Sequence, residues 1–246
     1  MNQAFENYVK NYDMNDPDIH YKYYHCYRVM EKSKMLAKNM SKENQQLAEI
    51  IGLYHDIGRF EQDKLYNSYK DTKKFNHAEY ATKILFDDNL IKEIPIEEKY
   101  YHIIEKAIRN HNKYEIEKDL TEKELLHAKL IRDADKLDIL YAASAGLIVP
   151  KELDLKTKDV KIDKQVKGMF YSNEQINYSI LNEPLDISEK LIAFLSLIFD
   201  LNFKESFNYL QENKILETIY KSLEAKEKYK EYFDYINNYI KEKIKC

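Results

Sequence analysis

Six side chains able to bind a metal ion are spread over the first 135 residues: His25, the adjacent His55 and Asp56, His77, His111 and Asp135. A histidine taken singly is more often a satisfied core residue than a ligand. These fall on different predicted helical stretches, however, and ligands projecting inward from several helices can converge on one ion, as ligands along one surface helix cannot. Adjacent residues of a helix differ by about 100° in direction, so His55 and Asp56 can flank one ion, and Asp56 can bridge two. Imidazole and carboxylate without thiolate suit Mn, Fe, Co, Ni or Zn, and ligand type does not choose among them.

The elements that must position these ligands are helical. Only four Gly and four Pro occur in 246 residues, and Leu, Ile, Lys, Glu and Ala dominate long stretches, which predicts an all-α fold. A first helix is expected over residues 2–12, and a second over 20–39 carries His25. Ser41 is a plausible N-cap for a third, with Leu47, Ile50, Ile51 and Tyr54 at helical spacing, ending at His55-Asp56 with Gly58 in a left-handed turn. Stretches 76–90 and 96–113 carry His77 and His111. Thr121 and Glu124 form a capping-box signature opening a long helix through Ala143, ended by Gly146 and Pro150. Residues 151–187 have the weakest periodicity and read as a connector with a short helix or extended piece. Further helices are expected near 188–202, 204–218 and 222–244. The last has Tyr229, Phe233, Ile236 and Ile240 on one face, which suits docking on its own domain and leaves a homodimer open.

The ordered set His25, His55-Asp56, Asp135 resembles the H…HD…D signature of the HD superfamily of metal-dependent phosphohydrolases. The surrounding words carry the likeness: KYYHCYRV, LYHDIGRFEQ, FNHAEYATKIL, AIRNHNKY and IRDADKLDIL. It covers roughly residues 20 to 143, and 150–246 matches no module. The resemblance implies an HD-domain helical bundle at 1–149, as metal-binding catalytic core, with a helical C-terminal extension at 150–246. It also implies one or two divalent transition-metal ions. The mononuclear version uses the four signature residues. The version with two further histidines in this order, here His77 and His111, builds a dinuclear site bridged by the doublet's aspartate. In the one-metal alternative His77 and His111 line the pocket and touch phosphate.

The implied reaction is cleavage of a phosphate ester or anhydride of a small nucleotide or dinucleoside polyphosphate by metal-activated water. Asp56 is expected to take part by bridging, Asp138, one turn beyond Asp135, by accepting a proton, and Lys136 by meeting phosphate. Arg59, Lys22 and Arg109 are further expected phosphate contacts, with Lys136. The GYP motif of cyclic-di-GMP enzymes is absent, and ADKLDI stands where the alarmone hydrolases have ADRLHN, so both options weaken. Other readings of the same signature are a di-iron oxygenase of the HD fold and a metal-stabilised regulatory or binding domain.

The rest of the sequence bounds these readings. Lys and Arg total 39 against 43 Asp and Glu, a net charge of −4, which argues against a dedicated nucleic-acid surface. The longest apolar run, Leu191 to Phe199 with Ser196 inside it, is short of the roughly 20 residues of a membrane span. The first residues show neither a basic leader nor an apolar signal core, and two cysteines, Cys26 and Cys246, give no disulfide framework, so a cytoplasmic setting is expected. No Ser-His-Asp elbow, P-loop or HExxH suggests another engine. His102 lies about 180° round the helix from His111 and His20 about 140° from His25, so neither is expected at the site. His127 has no supporting motif.

Overall fold

Helix punctuation in the sequence is written largely in capping side chains, and the computed structural model, which describes residues 1–147, 156, 160–181 and 184–245, shows them at work. After α1 (Asn2–Val9), the Asp16 carboxylate accepts from the backbone of Asp18 and Ile19, and Pro17 fills the first turn of α2 (Pro17–Ala37). That helix begins three residues earlier than the expected start at His20, because Asp16 supplies the cap. Ser41 caps α3 (Lys42–Tyr54) through the Asn44 N–H, and Leu47, Ile50, Ile51 and Tyr54 are buried as their spacing requires.

The expected ending of α3 at Gly58 is corrected. The helix stops at Tyr54, His55 to Ile57 form a turn, and Gly58 opens a further helix, α4 (Gly58–Tyr66). Gly58 is needed there for its missing Cβ, and the left-handed conformation at the end of α4 is taken by Asn67, at φ 46°. Asn76 then caps α5 (His77–Thr82), which widens into a π turn over Lys83–Asp87 instead of continuing regularly to residue 90. Two single-turn 3-10 helices precede α6 (Tyr101–His111).

The capping box of Thr121 and Glu124 is formed as read: Glu124 Oε2 accepts from Thr121 N–H at 2.7 Å, and Thr121 Oγ1 accepts from Glu124 N–H at 3.3 Å. It opens α7 (Glu122–Ser144), which ends near Gly146 at φ 67°; Pro150 lies outside the described residues. The chain divides into two compact units, Met1–Asp135 and Lys136–Cys246. In the first, α2 packs along α3, α4 meets α2 and α5, and α6 meets α3 and α5, so the buried faces enclose one core.

In the second unit the connector holds α8 (Lys164–Tyr171), capped by Asp163, and a capping box of Asp186 and Glu189 opens α9 (Ile187–Leu195), which continues as a 3-10 turn to Asp200. The expected single helix at 204–218 is broken into α10 (Lys204–Glu212) and α11 (Ile215–Ser222) by Lys214 at φ 51°. α12 (Lys226–Lys245) buries Tyr229, Phe233, Ile236 and Ile240 and packs on α10 and α11. Among the described residues all regular structure is helical apart from an isolated pairing of Thr72 with Phe75, and no helix is long and apolar enough to cross a membrane. Cys26 is buried and takes part in no disulfide, and Cys246 is not among the described residues.

Candidate metal centre

Each of the six candidate ligand residues leaves its backbone at a point fixed by a helix boundary or a buried helix face. His25 lies on the inner face of α2, His55 and Asp56 in the turn after α3, His77 at the first residue of α5, His111 at the last of α6, and Asp135 on α7. All but Asp135 are buried, and Asp135 is partly exposed.

The first unit brings all six together around Asp56, whose two carboxylate oxygens face different partners. Oδ2 stands 3.4 Å from His25 Nε2 and 3.7 Å from His55 Nε2. Oδ1 stands 3.3 Å from His77 Nε2 and 3.5 Å from His111 Nε2. Asp135 Oδ1 completes the first group, 3.2 Å from His25 Nε2 and 3.6 Å from His55 Nε2.

The far ring nitrogens settle the protonation of three histidines. His55 Nδ1 meets the Gly52 carbonyl at 2.8 Å, His111 Nδ1 the Ile108 carbonyl at 2.7 Å, and His77 Nδ1 the Asp71 carboxylate at 2.7 Å. Carbonyls and carboxylates only accept, so each Nδ1 carries the proton and each Nε2 presents a lone pair. The Nε2 atoms of His77 and His111 then face each other as acceptors at 2.9 Å, and His55 Nε2 is buried without a hydrogen bond. Lone pairs crowded about a carboxylate repel one another and are reconciled by a cation, so the donor set fits a metal.

Protonation states agree with that use. Burial lowers the His55 imidazole, and burial together with the Arg59 charge brings His77 down to about 3, so both are neutral at ordinary pH. Burial opposes ionisation of Asp56, but the adjacent Lys22 charge overcomes it and holds the carboxyl well below its usual range. Asp135 is likewise held low against burial, chiefly by His25. Neutral imidazoles and ionised carboxylates are the ligand forms, so binding needs no costly proton release.

Two of the expected cations stand at this centre. Lys22 Nζ is 2.6 Å from Asp56 Oδ2, and Arg59 Nε is 3.5 Å from Asp56 Oδ1. Arg59 also donates to Gln62 Oε1 at 2.7 Å and to the Tyr69 carbonyl. Arg109 is committed elsewhere, to Glu79 and, at 3.1 Å, to Glu105. Lys136 is ion-paired with Asp200 at 2.8 Å. Asp138 is fully buried, and burial, then Tyr141 and then the Asp138 charge, push the Tyr209 phenol up to about 12. The excluded histidines lie as read: His20 and His102 are exposed, and His127 is buried against Asn44 Oδ1 at 3.2 Å.

Sequence reasoning passed over Asp71, which holds His77 from the loop between α4 and α5, and Arg132, buried in α7, which donates to the carbonyls of Asn110, Lys113 and Tyr114 and so fixes the end of α6 beside His111. Asp71 has no periodic signal in DTKKFNH, and Arg132 reads as ordinary helix chemistry until its burial is seen.

Helices bearing this H…HD…H…H…D arrangement form a candidate metal centre of the HD type. The family model for the HD domain matches residues 23–140, a span that contains all six candidate ligands. This segment is an HD domain, a domain found mostly in metal-dependent phosphohydrolases. No curated protein and no solved structure matches the chain significantly.

Proposed function

We propose that the chain is a dinuclear metal-dependent phosphohydrolase acting on a phosphate ester or anhydride of a small nucleotide or dinucleoside polyphosphate. One ion would be held by His25, His55, Asp135 and Asp56 Oδ2, the other by His77, His111 and Asp56 Oδ1. The observation that carries this reading is the division of Asp56, with two imidazoles on either oxygen. Ions bound there would lower the pKa of water and offset charge on the transferred phosphoryl group.

The chain's own residues supply the remainder. Lys22 and Arg59 place two cations beside Asp56, where they attract and orient a phosphate. Burial of the histidines excludes bulk water, which strengthens these charge interactions. Asp135 is the partly exposed ligand and marks the side from which a substrate can approach.

The test is phosphate release from a panel of nucleotides and dinucleoside polyphosphates, with His55→Ala and His77→Ala alongside. Release by the wild type, lost in both variants, supports the two-ion phosphohydrolase. Activity retained in His77→Ala restricts the reaction to the four-ligand side, and no release from any member with metal bound contradicts the reading.

A further inference from the structure

A histidine that presents Nε2 to a metal must place its Nδ1–H on some acceptor, and this chain does so in two ways. His55, just past the end of α3, and His111, at the end of α6, close on the carbonyl three residues back, Gly52 and Ile108. His77 cannot, because it is the first residue of α5 and no helical turn precedes it. The loop between α4 and α5 provides a side chain instead. Asp71 Oδ2 accepts from His77 Nδ1 at 2.7 Å and Oδ1 from the His77 backbone N–H at 3.1 Å. The same carboxylate accepts from Asn112, the neighbour of His111, at 3.1 Å and from Gln62 of α4 at 3.2 Å, with Arg59 at 3.5 Å.

We propose that Asp71 is the positioning residue for the His77–His111 side of the centre, holding His77 in the one tautomer that leaves this side open to an ion. The alternative tautomer has an internal competitor. With its proton on Nε2, His77 would donate to His111 Nε2, already 2.9 Å away, and that hydrogen bond would occupy both lone pairs meant for the metal. Asp71 prevents it by taking the proton to the opposite nitrogen, and as an anion it makes the ring a better donor than a carbonyl would. The metal part of this inference rests on the two-ion reading above; the tautomer part stands on the chain's own contacts.

The experiment compares the wild type, Asp71→Ala and Asp71→Asn by side-chain nitrogen–proton correlation of the full chain, stripped with chelator at neutral pH, followed by zinc titration. His77, His55 and His111 should all show Nδ1–H in the wild type. In Asp71→Ala only His77 should move toward Nε2–H, and Asp71→Asn, which keeps an acceptor oxygen, should restore it. The zinc held on the His77 side should weaken about 10- to 100-fold in Asp71→Ala, with the other ion unchanged. His77 keeping Nδ1–H in Asp71→Ala would overturn the proposal. A wild type that takes up one zinc would sink the two-ion reading, while the tautomer result would still decide the role of Asp71.

Discussion

Gly58 lies so close to His77 that a Cβ on the glycine would stand 2.3 Å from the His77 carbonyl oxygen and 2.9 Å from the Ala81 backbone nitrogen. The absent methyl lets the start of α4 press on the start of α5, which sets His77 against Asp56. Gly58→Ala must push backbone apart, at a cost of about 1–3 kcal/mol typical of overpacking, and should also impair metal uptake at His77. Gly168, in α8 with nothing within 4 Å of its would-be Cβ, is the control. Gly168→Ala should raise stability by up to about 1 kcal/mol with metal content unchanged, as read by denaturant melts and elemental analysis.

Arg132 is fully buried and donates to three carbonyls at the end of α6. Arg132→Met removes the charge but leaves those carbonyls short of donors. Stability should fall by about 2–4 kcal/mol in urea unfolding, and His111 should bind its ion less tightly.

His127 is a buried histidine away from the ligand set, lowered to about 4 from 6.5 by burial, then by the Lys123 charge. Between pH 6.5 and about 4 the unfolded chain binds a proton at this position that the folded chain refuses. Stability therefore falls as pH drops through that window and levels off below it. His127→Gln removes one titrating group, so the acid-side slope of stability against pH should shrink by at most about 1.4 kcal/mol per unit. An unchanged slope would show that the side chain is not buried neutral.

Lys22 and Arg109, two of the cations expected to meet phosphate, separate by commitment. Lys22 touches Asp56, so Lys22→Met should raise KM for a phosphorylated substrate about tenfold, the loss of one charge-assisted contact. Arg109 is held by Glu79 and Glu105 at the surface, so Arg109→Met should leave KM within about twofold. Steady-state kinetics on whichever panel member is turned over would distinguish the two.

The cluster of six candidate ligands was legible because its residue types are few and each sits at a helix boundary or on a helix face that local sequence marks. Ser41 and Thr121 with Glu124 announce two of those boundaries directly. Gly58 was misread because glycine serves both a left-handed turn and a close approach, and only the position of α5 tells which. The break at Lys214 had no signal, since a lysine in the left-handed region is set by the packing of α10 and α11 around it. Asp71 was invisible for a similar reason: its partners at 59, 62, 77 and 112 meet only after folding. Arg109 was chosen by its place beside His111, whereas glutamates on its own helix and on α5 decide where its guanidinium goes.

The measurement that bears most directly on the central claim is the metal content of chain purified without a chelating tag, taken for the wild type, His25→Ala and His77→Ala. The division of Asp56 predicts about two ions per chain in the wild type, with His77→Ala keeping the ion of His25, His55 and Asp135, and His25→Ala weakening that ion first. No bound metal after reconstitution, or one ion that survives His77→Ala unchanged with no second ion in the wild type, would contradict a dinuclear centre.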